Sequence, residues 1–208
     1  MEVNYLTLGS DCSPAAALKY LNMRKYALPF DWVVSNINSL ENCFKSNFEN
    51  FHKNLTFRHD KKRAIDYYNF EFPHDYPLND NSGFEYFKEE DTYISEEDGK
   101  HITDKFMDYY EVVLEKYNRR IQRFKSIIND KKPIICLCRY TTGDLLKLQK
   151  IFTEYYKIED IYFVNSSAEI FETDKIINIY TEKNGAWNDI SIWKKGIDDT
   201  ILKITSKK

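Results

Sequence analysis

The chain has 208 residues, a net charge of -3, 42 % hydrophobic residues and 30 % charged residues. This composition is typical of a soluble globular protein, and the length suffices for one domain with a substantial core. The acidic balance argues against binding to nucleic acid or to an anionic membrane. The longest apolar runs are far shorter than the roughly 18 to 20 residues of a membrane span. We therefore expect a cytoplasmic protein with a single α/β domain over residues 1–208.

The cysteines exclude the common metal and redox motifs. Cys12, Cys43, Cys136 and Cys138 are scattered, and the only close pair has C-x-C spacing. A zinc ribbon requires two C-x-x-C knuckles and a redox pair requires one. The sequence also lacks a glycine-rich phosphate loop. We expect no metal, no cofactor and reduced thiols.

The first half of the chain opens with an α/β unit. Residues 3–9 have a strand pattern, and a Gly-Ser-Asp turn leads directly into a predicted helix at about 13–22. The stretch "LPFDWVVS" (28–35) is predicted to be extended because proline disfavours helix before it and apolar residues alternate after it. Apolar spacings of three and four predict a second helix within 37–48.

An irregular insertion is predicted at about 51–100, followed by alternating strands and helices. Residues 102–128 have the strongest helical periodicity of the chain. The later predictions are a strand at "IICLCRY", a helix at about 143–156, strands at "DIYFVN" and "KIINIYT", and a helix from about Asn188. Such alternation indicates a mostly parallel sheet in a three-layer α/β sandwich, with the active crevice beyond the carboxyl ends of the strands.

Cys12 is the candidate nucleophile. It follows a strand and a tight turn at the start of a helix, where helix amides can stabilise a thiolate and an oxyanion. Ser10 and Asp11 are candidate caps, and the amide of Ser13 is a candidate oxyanion donor. All three are also predicted to contact substrate. The alternative is that Cys12 is a small buried packing residue.

A cysteine nucleophile needs a base, and His74 is the preferred candidate. The chain has four histidines, His52, His59, His74 and His101. His74 follows a short predicted strand in "FEFPHDYPL", which is a rigid place for a catalytic imidazole. His59 lies among charged residues and is predicted to be solvated.

A third residue would orient the imidazole, and the sequence leaves four candidates open. They are Asp75, Asp31, Asn188 and Asp189. A carboxylate or amide bonded to the far imidazole nitrogen fixes its tautomer. Structural alternatives exist, because Asp31 can bond backbone amides in a turn and Asp189 can cap the last helix.

Several further side chains are candidates for substrate binding. Arg119, Arg120 and Arg123 share a predicted helix face and could hold a phosphate or carboxylate, although such clusters are more often solvated faces paired with acids. Arg139 follows a buried strand. The aromatic candidates are Trp32 and Trp187.

The sequence resembles a papain-like cysteine peptidase family of bacteria and large DNA viruses. The resemblance lies in a Leu-Gly/Cys/Ala-rich block, an arginine, "PFDW", a His-Asp pair and a Tyr-x-Arg-Arg helix. The matching residues are Leu8, Gly9, Cys12, Ala15, Leu18, Arg24, Pro29, Phe30, Asp31, Trp32, His74, Asp75, Tyr117, Arg119 and Arg120. The resemblance implies a thiol hydrolase with Cys12 as nucleophile and His74 as base, which would act in the host cytoplasm if the protein is viral. Papain-like folds are α+β, whereas the pattern after residue 133 favours α/β.

Three functions remain open at this point. The favoured one is a cysteine hydrolase acting on a peptide, isopeptide or related acyl bond in a peptide, protein or glycan-linked substrate. The second is a glycan-modifying or nucleotide-sugar-binding transferase, for which the arginines would hold phosphate. The third is a non-catalytic interaction module. For the hydrolase we expect Cys12 to be the reactive thiol, with Cys43 near an apolar helix face and Cys136 and Cys138 on opposite faces of a buried strand.

Overall fold

The structure is a computed structural model that describes residues 2–57, 63–76, 93–95, 99–101, 106–182 and 189–206. The chain forms two compact units, one from Met1–Asp31 with Arg123–Lys208 and the other from Trp32–Gln122. Its elements in chain order are β1 (Asn4–Thr7), α1 (Ser13–Tyr20), α2 (Ile37–Lys45), β2 (Thr56–Phe57), β3 (Ala64–Ile65), β4 (Glu71–Phe72), β5 (Tyr93–Ser95), β6 (Gly99–His101), α3 (Phe106–Asn129), β7 (Ile134–Cys138), α4 (Thr142–Lys150), β8 (Ile161–Ser167), β9 (Ile176–Tyr180) and α5 (Ile190–Ser206). A π-helical turn, Ile151–Tyr155, extends α4.

The first unit contains a four-stranded parallel sheet in the order β1-β7-β8-β9. All five residues of β7 and the first six of β8 are buried, as expected for strands covered on both faces. Helix α4 connects β7 to β8. The sequence-based prediction of an α/β fold with a parallel sheet is confirmed.

Helices α1 and α5 cover one face of this sheet. Trp193 and Ile197 of α5 belong to the same buried cluster as Leu18 of α1 and Val164 of β8. A Cβ on Gly196 would lie 2.6 Å from the Val164 side chain. Glycine at this position therefore lets α5 approach the sheet closely.

The opposite face packs against the end of α4. Phe163 of β8 contacts Phe152 of the π-helical turn with ring centroids 6.2 Å apart. The first unit therefore has three layers, with helices on both faces of the sheet.

Cys136 and Cys138 lie in β7, within this sheet. The prediction that these two cysteines lie on opposite faces is wrong, because strand residues two apart share a face. Burial, and then the neighbouring Cys138, raise the pKa of the Cys136 thiol well above its usual value.

The "PFDW" segment differs from the extended piece predicted for it. Pro29–Trp32 form a turn, and only Val34 pairs as a bridge, with Glu71. The carboxylate of Asp31 accepts a hydrogen bond from the amide of Leu28 at 2.9 Å and from the hydroxyl of Thr7 at 2.6 Å. These bonds favour a turn over the extended conformation that the alternation suggested.

The second unit contains α2 and short antiparallel strands. Asn36 caps α2 by accepting hydrogen bonds from the amides of Asn38 and Ser39. Strands β2, β3 and β4 form a three-stranded sheet, and β5 pairs with β6. The short elements fall in the predicted irregular insertion at 51–100. Among the described residues, no helix has both the length and the apolar character needed to cross a membrane.

Candidate active site

The turn between β1 and α1 places Cys12 at the N-terminus of α1. Gly9 has a φ of 59°, a left-handed conformation that glycine adopts at little cost. Cys12 is the N-cap residue, and its carbonyl accepts a hydrogen bond from the amide of Ala16 at 3.0 Å. Its exposed fraction is 6 %. The positive end of a helix favours negative charge, so this position suits a thiolate.

A polar network surrounds this turn. The carboxylate of Asp11 accepts hydrogen bonds from the amide of Ser13 at 2.8 Å and from Nη1 of Arg139 at 2.6 Å. The hydroxyl of Ser10 accepts one from the amide of Arg139 at 3.0 Å. The structure thus brings together four predicted site residues beside Cys12. The Ser13 amide, expected to hold an oxyanion, donates to Asp11 here because that carboxylate lies within the same turn.

A cavity of about 560 Å³ lies at the carboxyl edge of the parallel sheet, in the first unit. This is the edge at which α/β sheets bind their ligands. Its wall includes several hydroxyl side chains and the Asp11–Arg139 pair. The lining residues are Ser10, Asp11, Arg139, Tyr140, Thr141, Ser166, Ser167, Ala168, Glu169 and Thr181.

Asn165 supports this edge from inside the sheet. It is fully buried, and its side chain accepts a hydrogen bond from the amide of Tyr140 at 2.8 Å and donates to the carbonyl of Tyr140 at 2.9 Å. The hydroxyl of Tyr140 in turn donates to the carbonyl of Leu8. This network fixes the segment that carries Arg139, as paired polar groups do in a buried setting.

His74 lies in the second unit, two residues after β4. It is half-buried. Its ring makes an edge-on contact with Trp32, with centroids 6.3 Å apart and an interplanar angle of 84°. Trp32 is therefore a neighbour of the candidate base.

Asp75 is buried in contact with α3. One carboxylate oxygen forms an ion pair with Lys116, and the other accepts a hydrogen bond from the hydroxyl of Tyr117 at 2.5 Å. Burial opposes ionisation of Asp75, but the charge of Lys116 and the two hydrogen bonds hold its pKa below the usual value. Burial lowers the pKa of Lys116, against the effect of Asp75. Sequence reasoning did not single out Lys116.

His52 is a buried histidine in the same unit. Its Nε2 is 2.7 Å from the hydroxyl of Tyr76, and its amide donates to Asp66 at 2.8 Å. Burial lowers the pKa of His52 to about 4, so the ring is neutral at pH 7.

The arginines of α3 are engaged separately rather than as one anion site. Arg119 pairs with Glu115 on the exposed helix surface. The Arg120 guanidinium lies 5.3 Å from the ring centroid of Tyr117, and that of Arg123 lies 5.4 Å from Tyr26. Arg119 thus has the solvated, acid-paired arrangement given as the alternative, whereas Arg120 and Arg123 lie against tyrosine rings.

The remaining candidates have structural partners or lie outside the described residues. Asp31 bonds the Leu28 amide, as the turn alternative predicts, and lies 3.4 Å from Arg24. Asp189 caps α5 through the amide of Ser191 at 2.9 Å. His59, Trp187 and Asn188 lie outside the described residues, as does the side chain of His101.

A second cavity, of about 410 Å³, lies in the first unit along β1 and was not predicted. Its wall includes the Arg24–Asp31 pair. The lining residues are Glu2, Val3, Asn4, Tyr5, Leu18, Met23, Arg24, Lys25, Tyr26, Leu28, Asp31, Ser126, Ile127, Asp130 and Lys132. In the part of the chain that the structure describes, no group of three or more histidine, cysteine, aspartate or glutamate side chains could hold a metal ion.

Comparisons with known proteins extend the resemblance seen in the motifs. A family model described as "Putative papain-like cysteine peptidase (DUF1796)" matches residues 3–160. An uncharacterised protein of Acanthamoeba polyphaga mimivirus is 28 % identical over 140 residues, which are 63 % of this chain. The match spans 59 % of that relative's length. No solved structure matches the chain.

Proposed function

We propose that the chain, which belongs to the family described as "Putative papain-like cysteine peptidase (DUF1796)", is a cysteine hydrolase acting on a peptide, isopeptide or related acyl bond. The imidazole of His74 takes the proton of the Cys12 thiol, and the thiolate attacks the carbonyl carbon. The protonated imidazole then gives its proton to the leaving group. Water, deprotonated by His74, cleaves the resulting thioester and regenerates the thiol.

The observation that carries this proposal is the position of Cys12 within the matched segment. Of the four cysteines, Cys12 alone is the N-cap residue of a described helix and follows a strand and a tight turn. Cys136 and Cys138 lie within the buried strand β7, and burial raises the pKa of the Cys136 thiol. Position thus favours Cys12 as the nucleophile.

The neighbours of His74 support its role as the base. Its ring is half-buried and contacts Trp32, which limits its orientations. Of the other histidines, His52 is fully buried and has a depressed pKa, which makes it a poor proton carrier near neutral pH. His59 lies among charged residues in the sequence, and we interpret it from the sequence alone as a solvated residue.

The cavity at the sheet edge is the proposed substrate-binding site. It includes Ser10 and Asp11 from the Cys12 turn and Arg139 from the end of β7. Its hydroxyl, carboxylate and guanidinium groups can hydrogen-bond the main chain or polar side chains of a peptide or glycan-linked substrate. A protein or peptide substrate in the cytoplasm remains our prediction, and we expect neither nucleic acid nor membrane as a partner.

The proposal is tested by acylation with an activated ester. Incubation with p-nitrophenyl acetate should release p-nitrophenolate in a burst and leave an acetyl group on Cys12, which peptide mass spectrometry locates. Cys12→Ala should abolish the burst, and His74→Ala should slow acylation and thioester turnover. Cys43→Ala is the matched control with another buried thiol and should leave the burst intact. Acetylation spread over all four cysteines, or a burst that survives Cys12→Ala, would overturn the proposal.

A further inference from the structure

We propose that Lys116 and Tyr117 of α3 are positioning residues for His74, and that they act through their bonds to the adjacent residue, Asp75. The inference rests on the proposed role of His74 as the base. All contacts that carry it lie within the second unit.

Asp75, the residue directly after His74, has its carboxylate occupied by α3. Among the described residues, its hydrogen-bond donors are Lys116 on one oxygen and Tyr117 on the other. Asp75 and Tyr117 are both buried. A buried carboxylate is strongly unfavourable without its partners, so the chain at Asp75 has one favourable position relative to α3.

Tyr76, the residue after Asp75, is held by contacts with His52. The Tyr76 hydroxyl and His52 Nε2 are 2.7 Å apart, and the two rings are parallel within 3°. His52 is itself held by the hydrogen bond from its amide to Asp66. Two consecutive residues after His74 are thus fixed by buried polar contacts.

The residues before His74 are fixed as well. Phe72 ends β4, is fully buried, and lies 5.2 Å from the ring of Tyr117. Pro73 restricts the backbone through its ring. Within the segment Phe72–Tyr76, His74 is the one residue that is not buried. The buried residues of this segment therefore fix the backbone at His74 and leave the imidazole partly exposed beside Trp32.

These contacts also join two motifs that are separate in the sequence. The His-Asp pair and the Tyr-x-Arg-Arg helix meet through the hydrogen bond between Asp75 and Tyr117. Arg120 then lies over the ring of Tyr117. Asp75, one of four residues considered for a direct bond to the imidazole, accordingly links the His74 segment to α3.

The experiment compares Tyr117→Phe, which removes only the hydroxyl, with Phe70→Leu, a substitution of a fully buried ring that packs on Phe51. NMR of ring-labelled histidine gives one signal for each of the four histidines, and His74→Ala assigns the relevant one. We expect Tyr117→Phe to broaden or shift the His74 signal and to slow acetylation of Cys12 roughly tenfold. Phe70→Leu should lower stability while leaving both readouts near wild type.

Lys116 gives the second test and the rescue. Lys116→Met should perturb the His74 signal as Tyr117→Phe does, and Lys116→Arg should restore it because the charge on Asp75 is again paired. If neither Tyr117→Phe nor Lys116→Met moves the His74 signal, or if Phe70→Leu moves it equally at equal stability, the inference is overturned.

Failure of the proposed function has a different signature. If His74→Ala leaves acetylation of Cys12 unchanged, His74 is not the base, whatever the NMR signals show. If His74→Ala slows acetylation but the Tyr117 and Lys116 variants change neither rate nor signal, only the positioning inference fails.

Discussion

Two carboxylate–cation pairs flank the candidate catalytic residues, and they differ in burial. In the first unit, the side chains of Arg139 and Asp11 are 14 % and 25 % exposed beside the cavity. In the second unit, those of Lys116 and Asp75 are 14 % and 2 % exposed, and Tyr117 completes the group. One pair lies in the turn of Cys12, the proposed nucleophile, and the other involves the residue that follows His74, the proposed base.

The difference teaches what each pair can do. The Asp11–Arg139 pair keeps some access to solvent, so a ligand in the cavity can reach its charged groups. A buried pair cannot lose one member without leaving an uncompensated charge. The groups around Cys12 therefore suit recognition, and those after His74 suit fixed geometry.

The largest expected effect is that of breaking the buried pair. Lys116→Met leaves the Asp75 carboxylate buried beside Tyr117 alone, and should lower the free energy of unfolding by about 3–5 kcal/mol. Urea unfolding followed by circular dichroism measures this loss. Lys195→Met, which breaks the exposed pair with Asp199, is the control and should cost less than about 1 kcal/mol. Equal losses of unfolding free energy in the two variants would contradict the claim that burial makes the Lys116–Asp75 pair more important for stability.

The next effect is a pair of opposing pH dependences at His52 and Asp66. Burial lowers the pKa of His52 from 6.5 to about 4, so the folded state binds fewer protons than the unfolded state in that interval and stability rises with pH. Burial raises the pKa of Asp66 from 3.8 to about 6, against three backbone hydrogen bonds, so there the folded state binds more protons and stability falls as pH rises. Each dependence is worth roughly 3 kcal/mol at most.

Because the two dependences oppose each other, the wild-type stability should be nearly flat between pH 4 and 6. Asp66→Asn should leave a stability that rises with pH, and His52→Gln one that falls. Asp75, with its lowered pKa, adds a loss of stability only as the pH falls below about 4. Urea midpoints at half-unit pH steps measure the slopes, and slopes of the same sign in both variants would contradict the assignment.

A smaller effect on stability than that of Lys116→Met is expected at the Asp11–Arg139 pair. Arg139→Gln should cost only about 1 kcal/mol, but it leaves the charge of Asp11 unneutralised beside Cys12. A nearby negative charge disfavours the thiolate, so the pKa of the Cys12 thiol should rise and its alkylation at pH 6 should slow. Thermal unfolding and the pH profile of alkylation test both parts. A large loss of stability with unchanged reactivity would reverse the roles of the two pairs.

The sheet of the first unit was predictable because its signals are local. The apolar runs of β7 and β8 and the periodicity of α3 mark buried strands and a long helix directly. The turn at "PFDW" was not predictable in the same way, since the contact of Asp31 with Thr7 joins residues 24 apart. A side-chain bond of this kind leaves no periodic trace in the sequence.

The candidate site, too, could be predicted only where its signals are local in the sequence. Cys12 could be placed at a helix start from the turn before it, and Asp189 could be foreseen as a cap. The link of Asp75 to Lys116 spans 41 residues, and Lys116 has no feature that separates it from other helix lysines. The fully buried Asn165 had a weak signal, a polar residue ending the apolar run "IYFV".

The central claim is that Cys12 and His74 act as a thiolate–imidazolium pair, and alkylation at pH 6 tests it most directly. Iodoacetamide at this pH should modify Cys12 before the other three cysteines, because the helix terminus and a protonated imidazole both favour the thiolate. His74→Ala should slow that modification, while His59→Ala should leave it unchanged. Peptide mass spectrometry over time gives the rate at each cysteine. First modification at Cys43, Cys136 or Cys138, or a Cys12 rate indifferent to His74→Ala, would contradict the pair and leave Cys12 a packing role.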